Sequence, residues 1–187
     1  IKIIKERKHN SNIIFRLLFG IIAVSLFISM PLMSLDAGVS GDEDKHVNQA
    51  KKVYNYFQSG GEDESYKDSK WGPFYAYNIT YDVFLSFLID KLDIENYYDF
   101  RHIVNSLLGV LTIFIVGLIA VMISGWRAGV LSMLILFLTP SFVGHSFNNP
   151  KDIPFALSYV LGIFFILKMV RNYPIIRIKD IILLSLA

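Results

Sequence analysis

Two adjacent acids, Asp42 and Glu43, are the first residues of the chain whose types and position could do chemistry. They stand shortly after a long apolar run. A carboxylate there can accept a proton from a hydroxyl, orient that hydroxyl for attack, or hold a divalent cation. The sequence Gly41-Asp42-Glu43-Asp44 also suits a helix start, where acids meet the positive end of the helix dipole. Asp42 and Glu43 are therefore candidate catalytic residues, candidate ligands if a metal is used, or helix-capping residues.

A second candidate is the segment 145–152, "HSFNNPKD", which forms a short polar bridge between two apolar runs. Its Asn-Asn-Pro sequence is typical of a tight turn. Ionisable residues at a membrane boundary are costly unless they are paired or functional, and His145, Lys151 and Asp152 lie within this one bridge. Asp152 could instead belong to the first turn of the following helix. As a site, the bridge offers Asp152 as an acid and the cation Lys151 as a phosphate ligand.

A third candidate, Arg101, opens the next apolar run together with His102 and Asn105. Arg101 either anchors the run at the lipid headgroups or binds an anionic lipid phosphate. His46 lies one helical turn after Asp42, and a structural role is favoured over a ligand role for this lone histidine. We expect the three clusters to converge in one pocket.

The elements that hold these residues are indicated by the uneven composition. Hydrophobic residues make up 53% of the 187 residues and charged residues 18%, while thirteen of the sixteen acids lie in residues 34–100. Long uncharged runs of this kind exclude an ordinary soluble domain, a disordered chain and a nucleic-acid binder. There is no cysteine, so disulfides and thiolate metal sites are excluded.

The apolar runs predict an all-α, polytopic helical membrane protein with at least four transmembrane helices and the start of a fifth, because about twenty apolar residues span a bilayer. The predicted spans are 13–33, 103–126, 128–147 and 153–167, with a fifth beginning at 181. The predicted regions are a basic tail 1–12, a first span 13–33, a polar loop 34–100, and a membrane region 101–187. Since the last run is cut short, we expect a fragment of a longer protein.

Lysine and arginine set the expected orientation. Residues 1–16 and 168–180 are basic, whereas residues 34–100 carry a net negative charge. The positive-inside rule then places the N-terminus in the cytoplasm and the loop 34–100 outside, in the plasma (inner) membrane if the source is bacterial.

The loop 34–100 predicts two amphipathic helices lying flat at the membrane interface. The first runs from about Asp42 to Phe57, with one face made of Val47, Ala50, Val53, Tyr54 and Phe57. The second runs from about Phe74 to Leu92.

Three stretches carry a resemblance to a known family. The first outer loop opens with Gly-Asp-Glu and continues "HVNQAKKVYNYF", the next span is entered through "YYDFRHIVNSLLG", and a later turn reads "PSFVGHSFNNPKDIPFA". This pattern resembles the N-terminal part of the GT-C superfamily of integral-membrane glycosyltransferases. Within it, the pattern is most similar to the protein-mannosyltransferase-like and aminoarabinose-transferase-like enzymes.

The resemblance implies an enzyme that moves a sugar from a polyprenyl-phosphate carrier to an acceptor protein, lipid or glycan at the outer face. It assigns the essential acid to Asp42, with Glu43 beside it, and a second acid to Asp152. It matches Arg101, Lys151 and, more weakly, His145 to the residues that contact the carrier phosphate. Members differ in metal use, so a divalent cation at Asp42 and Glu43 stays open.

Two other classes compete with a glycosyltransferase. A transporter or flippase would place its polar residues along a path at the bilayer midplane. A non-catalytic membrane subunit would use the loop 34–100 to bind a partner. The ionisable residues here cluster at one interface, which favours surface chemistry over passage through the membrane.

Overall fold

A computed structural model of the chain describes residues 2–68, 80–175 and 177–186. Within these residues every regular element is a helix, which agrees with the predicted all-α class. The helices are α1 (Lys2–Ser34), α2 (Glu43–Gln58), a 3₁₀ turn (Ser65–Lys67), α3 (Thr80–Lys91), α4 (Tyr97–Ser124), α5 (Trp126–Phe137), α6 (Pro140–Asn148), α7 (Asp152–Asn172) and α8 (Ile178–Ser185).

Three helices of the described part are long and apolar enough to cross a membrane. They are Asn12–Ser34, Tyr97–Ser124 and Asp152–Asn172, and they contain the predicted first span, most of the second and the whole of the fourth. The protein is thus a helical membrane protein by the length and composition of its helices.

The predicted third span, 128–147, is not one continuous helix. The structure divides it into α5 and α6, which meet at an angle of 69°. Pro140 has no backbone N–H and disfavours helical geometry at the residue before it, so α5 ends at Phe137 and Thr139 is extended. Counting the bent pair as one crossing gives up to four spans among the described residues.

The hydrophobic core lies where α1, α4 and α5 meet. Phe19 and Met30 of α1, Ile113 of α4 and Met133 of α5 are almost completely buried in it. The edge of the Trp126 ring packs against Phe19, with ring centroids 5.5 Å apart. This core fixes α4 as the central helix, and α4 also contacts α6 and α7.

Two glycines on one face of α4, Gly109 and Gly117, allow close contact with α6 and α5. A Cβ added at Gly109 would collide with Ser146 of α6, and one added at Gly117 would lie 2.6 Å from Met133 of α5. Small residues let membrane helices approach closely. The same face of α4 carries Asn105 and Arg101, which lie four and eight residues before Gly109. Close packing of α4 therefore also fixes the positions of these two polar residues.

The helices α2 and α3 form a pair beside the spans. The bounds of α2 confirm the first amphipathic helix, and Val47 and Ala50 are buried as expected, whereas Phe57 at the end of the predicted face is 68% exposed. In the second predicted helix, 80–91 is helical, whereas 74–79 lies outside the described residues. The pair is joined by the Tyr54 hydroxyl, which donates a 2.8 Å hydrogen bond to Asp90. The position of this pair relative to a membrane interface stays a prediction.

Candidate functional site

A cavity of about 540 Å³ lies between the start of α2, the end of α6 and the turn before α7. We call it the Asp42 cavity. Its lining residues are Ser40, Gly41, Asp42, Glu43, His46, His145, Asn148, Asn149, Pro150, Lys151 and Asp152. It therefore brings together two of the three clusters singled out in the sequence, although they are about a hundred residues apart in the chain.

Asp42 is the residue just before α2, and its side chain is 75% exposed. Lys45, one helical turn later, donates a 3.2 Å hydrogen bond to its Oδ1. This hydrogen bond and the positive charge of Lys45 hold the pKa of Asp42 below its ordinary value of 3.8, and the charges of His46 and Lys151 act weakly in the same direction. Asp42 is thus an ionised, accessible carboxylate at neutral pH.

Asn149 organises the side of the cavity opposite Asp42. Its amide nitrogen donates a 2.8 Å hydrogen bond to Asp152 and lies 3.1 Å from Nδ1 of His145. Its amide oxygen accepts from the backbone N–H groups of Lys151 and Asp152, at 3.2 Å and 3.0 Å. The turn predicted from the Asn-Asn-Pro sequence is present, and Asn149 also ties three candidate site residues to one another.

The end of α6 is fastened to α4 by Asn105. The Asn105 amide donates to the backbone oxygens of His145 and Ser146, each at 3.2 Å. Asn105 itself is only 3% exposed. Asn105 therefore holds this wall of the Asp42 cavity in place through hydrogen bonds to the backbone of α6.

Glu43 is placed very differently from its neighbour Asp42. Its side chain is 2% exposed, and its two oxygens lie 3.0 Å and 3.2 Å from Nε2 of His102. It also accepts a 3.2 Å hydrogen bond from the backbone N–H of Ser40. Glu43 is therefore committed to internal contacts that link the start of α2 to α4.

Arg101 does not join Asp42 and Asp152, so the expected convergence of all three clusters is wrong. Arg101 is 3% exposed and donates through Nη2 to Asp82 of α3. The second oxygen of Asp82 lies 3.5 Å from Nδ1 of His46 on α2. Arg101 is absent from the residues that line the described Asp42 cavity. We call Glu43, His46, Asp82, Arg101 and His102 the buried ionic cluster.

Asp82 is the member of this cluster that the sequence analysis missed. It is 1% exposed, and it balances the charge of Arg101. The available signal was an acid within the apolar stretch "TYDVFLSFLI", because an acid on a buried helix face needs a cationic partner. The partner of Arg101 is thus an acid from the neighbouring helix.

The open question of a metal at Asp42 and Glu43 can be tested on the residues themselves. Across the described ranges, no three histidine or acidic side chains come together in a group that could hold a metal ion. Glu43 already accepts from His102 and Ser40. Asp42 and Glu43 therefore do not form a ready-made pair of cation ligands.

No protein-family model, curated protein or solved structure matches the chain. The resemblance to GT-C glycosyltransferases therefore depends on the sequence motifs that carry it.

Proposed function

We propose that the chain is part of a membrane glycosyltransferase that moves a sugar from a polyprenyl-phosphate carrier to an acceptor hydroxyl. The observation that carries this proposal is the Asp42 cavity, in which an ionised acid faces a second acid, Asp152, and the cation Lys151. An acid that binds a hydroxyl and a cation that binds a phosphate are the two groups such a transfer needs.

The geometry supports a direct displacement. Asp42 accepts a hydrogen bond from the acceptor hydroxyl and takes its proton as the oxygen attacks the anomeric carbon. The bond from that carbon to the phosphate oxygen breaks, and the electron pair leaves with the polyprenyl phosphate. Because this leaving group is already a stable anion, Lys151 and His145 need only stabilise its charge. The low pKa of Asp42 suits this role, since a weak base is enough when the leaving group is good.

The proposal includes an orientation. The basic N-terminus lies in the cytoplasm, and the segment 34–100 with the Asp42 cavity faces outside, in agreement with the distribution of Lys and Arg. The exposed apolar surface of α7, whose most apolar window is only 6% buried, is available to lipid or to further spans of a longer protein. A carrier lipid would reach the cavity from the membrane.

The experiment for the reaction is an Asp42→Asn substitution in the full chain, with transfer measured from a polyprenyl-phosphate sugar. Loss of a proton-accepting side chain reduces the rate by about 10²–10⁴-fold. Asp36→Asn is the matched control, because Asp36 is an exposed acid outside the cavity. Unchanged turnover in Asp42→Asn would remove Asp42 from the mechanism.

The orientation has its own test. We expect an Asp63→Cys substitution, in a chain that has no other cysteine, to be labelled by an impermeant thiol reagent in intact cells. Labelling that required lysis would reverse the topology.

The broken helix α5–α6 is the one feature that favours a transporter, since such proteins use discontinuous helices around a midplane site. The acids Asp42 and Asp152, however, lie at the ends of helices rather than in the middle of a span. Substrate uptake by proteoliposomes, without any transferred sugar, would support this second function.

A further inference from the structure

A second cavity, of about 260 Å³, lies between α2, α3 and the first turn of α4. We call it the Arg101 cavity. Its lining includes Arg101, Lys51, Asn55, Ser86 and Asp90, and it shares no lining residue with the Asp42 cavity. The two cavities are therefore separate compartments on either side of the buried ionic cluster.

The guanidinium of Arg101 is only partly satisfied. Asp82 accepts from Nη2, but Nε and Nη1 have no hydrogen-bond partner within the described part of the chain. Buried donors are almost always hydrogen-bonded, and those of a charged group are especially costly to leave unpaired. Arg101 is 97% buried, lines the wall of this cavity and leaves two donors unpaired, so its guanidinium lacks acceptors that a bound group could supply.

The charges around the Arg101 cavity favour an anion. Lys51 supplies a second cation, with its Nζ 4.2 Å from the centroid of the Tyr97 ring. The acid of the lining, Asp90, has its Oδ2 occupied by two donors, the Tyr54 hydroxyl at 2.8 Å and the Gln58 amide at 3.2 Å. An incoming anion therefore meets Arg101, whose charge is balanced by Asp82, the second cation Lys51, and an acid whose Oδ2 is already hydrogen-bonded.

We propose that the Arg101 cavity is a binding site for an oxyanion, a phosphate or carboxylate group, held by Nε and Nη1 of Arg101 and by the ammonium of Lys51. Charge-assisted hydrogen bonds from arginine to such groups are short and strong. At about 260 Å³, the cavity is slightly smaller than ordinary ligand sites, which begin at about 300 Å³, so it takes one charged group rather than a whole large ligand. This site does not depend on the sugar-transfer proposal.

The test is calorimetric titration of the full chain, in phosphatidylcholine nanodiscs, with inorganic phosphate and separately with acetate. We expect at least one of them to bind. Arg101→Gln should weaken this binding by about tenfold or more, and Lys51→Met by about threefold, because each removes one charge-assisted contact.

Two further variants keep the test decisive if Arg101→Gln does not fold. Asn55→Asp adds a negative charge at an exposed helix position of the lining, leaves the Arg101–Asp82 pair intact, and should also weaken binding. Lys52→Met is the matched control for Lys51→Met. Lys52 follows Lys51 on α2, donates to the backbone oxygen of Asp68 and does not line the Arg101 cavity.

Nanodiscs that contain phosphatidic acid separate two sources of the phosphate. Competition between that lipid and added phosphate would assign the site to a headgroup, and absence of competition to a soluble ion. Binding of neither phosphate nor acetate would overturn the proposal. So would binding that neither Lys51→Met nor Asn55→Asp weakens, or that is lost only in Lys151→Met of the Asp42 cavity.

Discussion

Asp42 and Glu43 are neighbours in the sequence and both line the Asp42 cavity, but the fold gives their side chains different surroundings. Asp42 is 75% exposed and contacts Lys45 in the first turn of α2. Glu43 is 2% exposed and contacts a histidine 59 residues away. In this "DE" pair, Asp42 is accessible from the cavity, and Glu43 fixes the position of Asp42 through its buried contacts. The buried ionic cluster is thus the support of the Asp42 cavity.

The largest loss of stability is expected when Asp82, the central acid of the buried ionic cluster, is removed. Asp82→Ala leaves Arg101 as an uncompensated buried charge and removes a partner of His46. Breaking a buried pair in this way costs about 3–5 kcal/mol of folding free energy. Thermal unfolding in detergent measures it.

Asp90→Ala is the control on the same helix. Asp90 is 48% exposed and makes surface contacts, so its loss should change stability by less than about 1 kcal/mol. Equal losses of folding free energy in Asp82→Ala and Asp90→Ala would show that the buried ionic cluster does not stabilise the fold more than a surface contact does.

The next prediction separates the two acids directly. Glu43→Ala leaves Nε2 of His102 and the N–H of Ser40 without their acceptor, and should cost about 2 kcal/mol. Glu43→Gln keeps an acceptor oxygen and should lose less than half of that. Under the proposed function, Glu43→Gln keeps substantial transfer activity, whereas Asp42→Asn does not. A Glu43→Gln variant as inactive as Asp42→Asn would make Glu43 a catalytic residue.

A third prediction concerns the wall of the Asp42 cavity. Gly109→Ala places a Cβ against Ser146, forces α6 away from α4 and should cost about 1–2 kcal/mol. Gly162→Ala on α7 is the control, because its Cβ would meet nothing within 4 Å and alanine favours the helix. If Gly109→Ala is as stable as Gly162→Ala, α6 packs less closely than described.

The smallest effect is expected at Lys45. Lys45→Met should let the pKa of Asp42 rise toward its ordinary value of 3.8, because the hydrogen bond and charge that lower it are gone. A carboxyl with a lowered folded-state pKa contributes stability that is present above its ordinary pKa and lost as the pH falls through the lowered one. The difference in unfolding temperature between wild type and variant should therefore be constant above about pH 5 and shrink below about pH 4. A difference that grows in acid would reverse this assignment.

Helix positions were largely predictable from the sequence, because apolar runs and acidic helix starts are local signals. The first amphipathic helix was expected from about Asp42 to Phe57 and is observed at Glu43–Gln58. The division of 128–147 was missed because composition does not register a bend. Pro140 was visible in the sequence, but the angle between α5 and α6 depends on how α6 packs against α4.

The partners of the polar residues were much less predictable. Asp42, Lys151 and Asp152 were singled out as a polar site, and they line one cavity. The separation of Arg101 from that cavity was not foreseen, since it depends on Asp82, which comes from a different helix. Periodicity shows that a residue lies on a helix face, whereas the identity of the facing charge is a property of tertiary packing.

The first two turns of α4 have a mechanical consequence. Arg101 lines the Arg101 cavity, His102 contacts Glu43 at the start of α2, and Asn105 donates a hydrogen bond to the backbone oxygen of His145. The helix α4 therefore carries residues that position both the Asp42 cavity and the Arg101 cavity. A displacement of α4 along its axis would therefore move the attachment points of both cavities together.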